Sequence, residues 1–407
     1  KEVLTGHLAE RRTEGVRMNV NFLGEAILSE VEAERRLQQI LQGLQWPEIE
    51  VVSIKISTVY SQLSPLAREH TVTVLCDRLE RLFRTADRAR FTRPDGTVVP
   101  KFVYLDMEEY RDKELTAEAF MRTLDRKGLE HVRAGIALQS YIPDSYRTLL
   151  QLQEWARKRV AAGGGRITIR LVKGANMESE RAESSMRGWP QAPYRTKLET
   201  DANYKRMVHA VMQPENLAAM DVGVASHNLF DLAYGLVLAH ERGALDKVQF
   251  EMLEGMANAQ RRALFELSRN LLLYAPACRR ENFINAIGYL IRRLDENTGP
   301  ENFLRHAFKI EVDSPEWRKL EQGFLAAFDA IDRLSDAPRR DQDRNLPPVA
   351  IPAVARGWQH FENEPDTDFA LPQNGVWGER IIAKWQGRCG DDAVIVPLVI
   401  AGEELLA

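Results

Sequence analysis

Short apolar runs alternate with longer amphipathic segments from residue 18 to about residue 297. The short runs are rich in β-branched residues and have the length of strands, whereas the longer segments repeat their apolar positions at helical spacing. The predicted strands are Met18–Leu23, Glu50–Ser57, Lys101–Met107, Ala134–Ser140, Arg166–Gly174, Met220–Ser226, Val248–Leu253 and Leu271–Ala277. The predicted helices are Glu30–Leu44, Leu66–Arg88, Ala117–Gly128, Tyr146–Ala162, Lys197–Met212, Asn228–Gly243 and Asn258–Arg269.

This alternation predicts an α/β fold, a TIM-like (β/α)8 barrel with C-terminal helices and a linker. Every connection between strands is long enough for a crossover helix, so the sheet should be parallel. Eight such units over roughly 280 residues match the size of a TIM barrel. A doubly wound open sheet is the competing fold, but no glycine-rich turn follows the first strand.

The pattern changes after residue 300. Phe303–Phe308 and Trp317–Leu334 have helical spacing, Ala337–Pro372 is rich in Pro, Asp, Arg and Asn, and Ala393–Ile400 has the composition of a strand. The expected domains are a barrel over residues 1–310, a C-terminal helix over 311–336, a linker over 337–376 and the start of a second domain over 377–407. Because the sequence begins with Lys1 and stops as a new element begins, we expect it to be part of a longer protein.

Composition narrows the class of protein. The net charge of -4 argues against a nucleic-acid binder. The three cysteines are far apart and have no metal-ligand spacing, so we expect neither a disulfide framework nor a metal site. No apolar run reaches the length of a membrane span and no signal peptide is visible, so a cytoplasmic location is expected.

Polar or otherwise distinctive residues lie near the ends of seven of the eight predicted strands. TIM barrels carry their active sites at these C-terminal ends. Lys55 and Arg170 are the most informative, because charged groups inside apolar strands are costly to bury without a partner. Taken singly, each is better explained as a strand-end salt bridge, and only the set of distinctive strand ends favours a functional site. The polar residues at these ends include Lys55, Asp106, Gln139, Arg170, Ser226, His227, Asn228, Glu251 and Tyr274.

Two further features at the strand ends have simpler interpretations. His227 has no second histidine or carboxylate at ligand spacing, so we expect a hydrogen-bonding histidine. Glu108 and Glu109 are adjacent, and neighbouring side chains on a strand or helix point apart, so an acid/base pair is not expected.

The last predicted barrel helix, around Gly288–Asn297, is amphipathic. Tyr289, Arg292, Arg293 and Glu296 fall within about 100° of one helix face, and the opposite face is apolar. Two guanidinium groups, a phenol and a carboxylate could together hold an anionic ligand. A solvated charged face is the alternative, and this helix alone favours it, because charged helix faces are usually solvated.

Four sequence motifs that occur together in this chain indicate a known family. They are Arg170–Ala175 (RLVKGA), Ser226–Asn228 (SHN), Tyr274–Pro276 (YAP) and Tyr289–Asn297 (YLIRRLDEN). In this order they resemble the flavin-dependent proline dehydrogenase barrel, and in particular that domain of the bifunctional proline utilization A family. The resemblance runs from about Arg17 to Phe308. Phe361–Trp385 resembles the junction that leads into the aldehyde dehydrogenase half of that family.

The resemblance implies an enzyme that oxidises L-proline to Δ1-pyrroline-5-carboxylate by hydride transfer to N5 of FAD, the first step of proline catabolism to glutamate. It implies that the helix of Tyr289–Asn297 caps the site. The residues implied to hold proline are Lys55, Asp106, Leu253, Tyr274, Tyr289, Arg292 and Arg293. The residues implied to bind FAD are Gln139, Arg170, Val172, Gly174, Met177, Thr196, Lys197, Ser226, His227, Asn228, Glu251, Arg293 and Glu296.

One position departs from the family pattern. After the lysine, glycine and alanine of RLVKGA, the family usually has two aromatic residues, whereas this chain has Asn176 and Met177. Asparagine removes most of the wall that a ring would supply to the substrate pocket. Methionine can still fill space beside the adenine.

The resemblance also implies partners: membrane quinone as electron acceptor, reached by peripheral contact at the inner membrane, and an aldehyde dehydrogenase-like domain on the same full-length chain. Two other functions stay open. One is a barrel enzyme that acts on a phosphorylated sugar, whose phosphate would bind the cations. The other is a flavin-binding barrel whose substrate is lost or altered, a reading that Asn176 favours.

Overall fold

The computed structural model describes residues 2–24, 27–298, 302–307, 310–347, 363–388 and 398–405. Within this part of the chain, eight parallel strands form a closed barrel. The strands are β1 Arg17–Phe22, β2 Val51–Ile54, β3 Phe102–Leu105, β4 Gly135–Gln139, β5 Ile167–Val172, β6 Met220–Ala225, β7 Val248–Leu253 and β8 Leu271–Ala277. Each strand pairs with its neighbours in sequence, and β1 closes the barrel against β8. The predicted TIM-like fold is confirmed.

Helices connect the strands and surround the barrel, and further helices precede β1 and follow the last barrel helix. They are α1 Glu2–Thr13, α2 Glu30–Gly43, α3 Arg68–Arg88, α4 Lys113–Leu124, α5 Ser145–Ala161, α6 Met177–Arg187, α7 Lys197–Val211, α8 Pro214–Leu217, α9 Leu229–Glu241, α10 Asn258–Ser268, α11 Phe283–Thr298, α12 Phe303–Ala307, α13 Pro315–Ala330 and α14 Pro372–Trp385. Short antiparallel hairpins pair Arg90–Thr92 with Val98–Pro100, and Leu398–Ile400 with Glu403–Leu405. The helices α1 and α6 are not apparent from the apolar pattern.

The barrel interior holds many polar side chains beside a small apolar cluster of Val51, Tyr104 and Leu272, and the main apolar core lies between the strands and the helices. Tyr104 crosses the interior, where its hydroxyl donates to Glu251 Oε1 at 3.1 Å and accepts from Gln249 Nε2 at 2.7 Å. Gly135 makes room for this ring, because a Cβ at that position would lie 2.2 Å from Tyr104 Cε1. The interior therefore presents charged and polar groups toward the ends of the strands.

After the barrel, α13 packs on α7 and α9. Phe324 stacks on Phe230 with ring centroids 5.6 Å apart, and Phe328 meets Tyr234 edge-on at 5.2 Å. In the range predicted as a linker, residues 338–347 and 363–371 contact the barrel and α14 begins at Pro372. Residues 393–397 of the predicted strand Ala393–Ile400 lie outside the described residues. In the described part of the chain, no helix has the length and apolarity needed to cross a membrane.

Candidate active site

A buried arginine lies inside the barrel. Arg170 on β5 has a side chain only 4% exposed, and its Nη1 donates to Asp106 Oδ1 at 2.7 Å while its Nε donates to Glu251 Oε2 at 2.5 Å. Its guanidinium carbon is 3.9 Å from the ring centroid of Tyr104 and 5.6 Å from that of Tyr274. Burial lowers the pKa of Arg170, but the Glu251 and Asp106 carboxylates outweigh this effect and raise the pKa above its ordinary value, so the group is a permanent cation.

Asp106 joins this arginine to the last barrel strand. Its Oδ2 accepts from the Tyr274 hydroxyl at 2.8 Å, and its Oδ1 accepts from Ser53 Oγ at 3.3 Å. Burial and the Asp106 carboxylate raise the pKa of Tyr274 well above its ordinary value, so the phenol stays protonated. Four residues implied by the resemblance, Asp106, Arg170, Glu251 and Tyr274, are thus in one connected cluster.

The second predicted cation, Lys55, lies just after β2, and its Nζ forms an ion pair with Glu108. The other carboxylate oxygen of Glu108 accepts from Ser57 Oγ at 3.0 Å. Asn176 differs from the usual residue of the family at this position. Its Nδ2 donates to the backbone oxygen of Glu108 at 2.8 Å and so links the start of α6 to the loop after β3. Glu108 therefore organises this part of the site by pairing with Lys55, not by pairing with Glu109.

A second charged cluster lies beyond β5. Lys173 Nζ contacts Asp201 Oδ1 at 2.5 Å and Asp231 Oδ2 at 2.7 Å, and Lys197 pairs with the other oxygen of Asp201. Burial alone lowers the pKa of Lys173, but Asp231 and Asp201 raise it overall, so the lysine is charged. Ser226 Oγ lies 3.3 Å from Asp231 Oδ2 and extends the cluster to the end of β6.

The Ser226–Asn228 segment forms the start of α9. Asn228 Oδ1 accepts from a backbone N–H in the first turn of that helix, and Ser226 Oγ accepts from the Asn228 N–H at 3.0 Å. His227 Nε2 accepts from the Leu253 N–H at 3.0 Å. Burial, aided by the positive charge of Arg293, lowers the pKa of His227 to about 4. The imidazole is therefore neutral at pH 7 and acts as a hydrogen-bonding group, as the sequence predicts.

Close backbone approach shapes the end of β5. Gly174 has φ +142, and a Cβ there would lie 2.4 Å from the ring of Tyr141, so only glycine fits. Val172 pairs with Gln139 across the sheet. The side chain of Gln139 donates to the backbone oxygen of Glu108 at 3.2 Å. These residues therefore bring the loops after β3, β4 and β5 together.

Two predicted cofactor residues have structural roles. Thr196 is the N-cap of α7, where its hydroxyl accepts from the Glu199 N–H and the Glu199 carboxylate accepts from the Thr196 N–H at 2.9 Å. Met177 begins α6 and packs against a small apolar cluster that contains Tyr110 and Tyr141. Both lie at the N-termini of helices, where backbone N–H groups favour anions.

The last barrel helix, α11, exposes its apolar face and shields its charged face. Its apolar residues are exposed, for example Ile284 at 76% and Leu294 at 62%, whereas Tyr289, Arg292 and Arg293 are partly buried. Arg293 lies near enough to lower the pKa of His227, and Tyr289 near enough to raise that of Tyr274. The charged face thus turns toward the strand ends. The Glu296 side chain lies outside the described part of the chain.

Some residues that shape this site are not singled out by the sequence. Ser53 and Tyr104 contact Arg170, Asp201 pairs with Lys173 and Lys197, and Asp231 pairs with Lys173. Glu108 is considered from the sequence only as a partner of Glu109, and its pairing with Lys55 is not predicted. A sequence signal exists only for Asp201, which lies four residues after Lys197 on the same helix face.

Comparison with known proteins adds a direct finding. Residues 4–306 match the family model described as proline dehydrogenase, which is well over half of the chain.

The chain belongs to the proline dehydrogenase family.

A curated relative in this family is proline dehydrogenase 2 of Bacillus subtilis, 25% identical over 303 residues that cover 74% of this chain and 84% of that protein. Solved structures of proline utilization A (PutA) are also similar. The one from Corynebacterium freiburgense is 35% identical, with a TM-score of 0.78 over 93% of this chain and 35% of that chain. The one from Bdellovibrio bacteriovorus is 27% identical, with a TM-score of 0.77 over 99% of this chain and 40% of that chain. This chain therefore spans little more than a third of the PutA chains it resembles.

Proposed function

We propose that this chain forms the catalytic barrel of an FAD-dependent proline dehydrogenase. It would oxidise L-proline to Δ1-pyrroline-5-carboxylate as the first step of proline catabolism to glutamate. The observation that carries the proposal is the family match over residues 4–306. The Arg170 cluster and the inward charged face of α11 support it, because they supply fixed cations at the strand ends, where an anionic substrate and cofactor would bind.

The residues at the strand ends fit a flavin. Arg170 Nη2 and His227 Nδ1 are buried nitrogens without a hydrogen-bond partner among the described residues. A buried polar atom of this kind is costly unless a ligand satisfies it. The Gly174 backbone, Lys173 and the N-terminus of α7 add groups that suit a pyrophosphate. Arg170, Gln139, Val172, Gly174, Met177, Thr196, Lys197, Ser226, His227, Asn228, Glu251, Arg293 and Glu296 are the residues that would hold FAD.

The chain's own residues would bind and orient the amino acid. Arg292, Arg293 and Lys55 would pair with the proline carboxylate, because guanidinium groups bind carboxylates through two parallel hydrogen bonds. Asp106, Leu253, Tyr274 and Tyr289 would enclose the ring. When bound, FAD would supply a two-electron acceptor for a hydride from the ring CH2 next to nitrogen, while the nitrogen would release its proton to solvent as the C=N bond forms.

Replacing a carboxylate-binding arginine tests this assignment. Arg292→Gln should raise the KM for L-proline about 10- to 100-fold, because a charge-assisted hydrogen bond contributes about 1.5–3 kcal/mol. The assay measures the cyclic imine trapped with ortho-aminobenzaldehyde. Arg262→Gln is the control, since Arg262 lies on the exposed surface of α10. Equal KM values for the two variants would exclude Arg292 from the carboxylate site.

The remaining parts of the proposal concern electron transfer and the longer protein. Reduced flavin must pass on two electrons, and we propose membrane quinone as the acceptor, reached by peripheral contact from the cytoplasmic side. The resemblance to PutA over only part of each PutA chain supports an aldehyde dehydrogenase-like domain that begins in residues 377–407.

A further inference from the structure

Two stretches after the barrel form a strap, defined here as residues 335–347 and 363–371. The strap lies across the C-terminal end of α6. Asp366 pairs with Arg187 at 2.7 Å and its backbone oxygen accepts from Trp189 Nε1 at 2.6 Å. Gly188 ends the helix with φ +69, and a Cβ there would lie 3.2 Å from Pro365 Cα. The strap is thus fitted closely to this helix.

Arg340 is the buried centre of the strap. Its side chain is 1% exposed, and its Nη2 donates to Ser184 Oγ at 3.0 Å and to Glu180 Oε2 at 3.3 Å. Its Nε donates to the Pro190 oxygen at 3.1 Å, and its Nη1 forms an ion pair with Asp368 at 3.5 Å. Nε and Nη2 are therefore hydrogen-bonded, whereas Nη1 has only the ion pair with Asp368 among the described residues. A buried arginine is costly without such partners, so these contacts should fix its position.

Glu180 carries this contact toward the active site. While one of its carboxylate oxygens binds Arg340, the other accepts from the Tyr110 N–H at 2.8 Å. Tyr110 lies two residues after Glu108 in the loop that follows β3. Glu108 in turn holds Lys55, so a continuous series of hydrogen bonds and a short backbone segment joins the strap to a predicted substrate-binding cation.

An apolar contact runs beside the polar one. Ala370 of the strap packs against the small cluster that contains Tyr110 and Tyr141. Met177, the first residue of α6, packs against the same cluster, and the ring of Tyr141 fills the space beside Gly174. The strap therefore supports the loop after β3 and the start of α6 together.

We propose that Arg340 is a positioning residue for proline oxidation. It fixes Glu180 and, through the Tyr110 backbone, the loop that places Glu108 and Lys55. This inference rests on the proposed proline dehydrogenase function, and it assigns a role in the barrel's chemistry to a residue from the range predicted as a linker.

Arg340→Met tests the proposal in the full chain, loaded with FAD. Its KM for L-proline should rise about 3- to 30-fold with kcat changed less than about threefold, since changes remote from a ligand shift binding by modest amounts. In the flavin-free protein, hydrogen exchange should accelerate in the peptide spanning residues 106–112, because the Tyr110 N–H loses its fixed acceptor. A role confined to overall stability would instead accelerate exchange in the barrel strands as well and would leave the KM of the folded enzyme unchanged.

Arg344→Met is the matched control. Arg344 belongs to the same strap, but its side-chain partners are Thr367, Glu364 and the Pro365 oxygen, which all lie in the strap. The Arg344→Met variant should have the same KM for L-proline as the unaltered protein and the same rate of hydrogen exchange in residues 106–112. If Arg340→Met does not fold, Glu180→Gln replaces it, because the amide can still accept from Tyr110 but loses its charge pair with Arg340.

The outcomes separate the two proposals. An unaltered protein that does not oxidise proline contradicts the proposed function, and the exchange measurement then still reports whether Arg340 holds the loop. An active protein whose Arg340→Met or Glu180→Gln variant keeps the original KM and exchange overturns the positioning role. Equal effects from Arg340→Met and Arg344→Met also overturn it.

Discussion

Removing the cation at Arg170 should destabilise the barrel severely. In Arg170→Met, the Glu251 carboxylate, only 3% exposed, loses its guanidinium partner, and Asp106 loses a donor at 2.7 Å. Methionine fills part of the volume between the rings of Tyr104 and Tyr274 but carries no charge. Leaving a buried carboxylate without its partner costs about 3–5 kcal/mol. We expect urea unfolding at pH 7, followed by circular dichroism, to show a free energy of unfolding lower than that of the unaltered protein by this amount.

A neighbouring arginine provides the control. Arg166 lies just before the same strand, with its side chain 25% exposed and its Nη2 2.6 Å from Asp221 Oδ1. Asp221 also pairs with Arg133, so Arg166→Met leaves no isolated charge and should cost about 0–1 kcal/mol. Adding Glu251→Gln to Arg170→Met should recover part of the loss. Equal losses for Arg166→Met and Arg170→Met, or no recovery in the double variant, would refute this account of the interior.

Two further predictions concern His227 and Gly174. Because folding lowers the pKa of His227 from about 6.5 to about 4, the unfolded chain takes up a proton first, and stability should fall by up to about 3 kcal/mol as the pH drops from 6.5 to 4. His227→Gln keeps an acceptor for the Leu253 N–H and should reduce this slope in urea unfolding at several pH values; an unchanged slope contradicts the assignment. Gly174→Ala should cost about 1–3 kcal/mol and lower the flavin retained after gel filtration, because its Cβ meets the ring of Tyr141. Gly163→Ala, at φ +84 with no atom within 4 Å, should cost about 1 kcal/mol and keep its flavin, and equal flavin loss in both would count against a close approach at Gly174.

The barrel could be predicted because each strand is a short apolar run between amphipathic helices. Predicted strand ends extend too far where polar residues follow directly. The second strand, predicted as Glu50–Ser57, ends at Ile54 because the chain turns at Lys55 into a short 3-10 helix. The helix α6 is hidden because its buried residues, Glu180 and Ser184, are polar and face the strap instead of an apolar core. Apolar periodicity cannot reveal a helix of this kind.

The site was predictable in its cations but not in their partners. Lys55 and Arg170 stand out as charges in apolar strands, whereas Glu108 and Glu251 lie 53 and 81 residues away along the chain and meet them only in the closed barrel. The orientation of α11 also departs from the usual rule, which buries the apolar face of a helix. Here the charged face is the shielded one, which the family resemblance implies but apolar periodicity alone does not predict.

The most direct test of the central claim is the absorbance spectrum of the purified, flavin-loaded chain during anaerobic titration with L-proline. Oxidised flavin absorbs at about 450 nm, and its reduction removes that band. If the chain is a proline dehydrogenase barrel, L-proline should bleach the band, and Arg292→Gln should require more proline for the same bleaching. A flavin-loaded sample whose band persists at saturating L-proline would contradict the account.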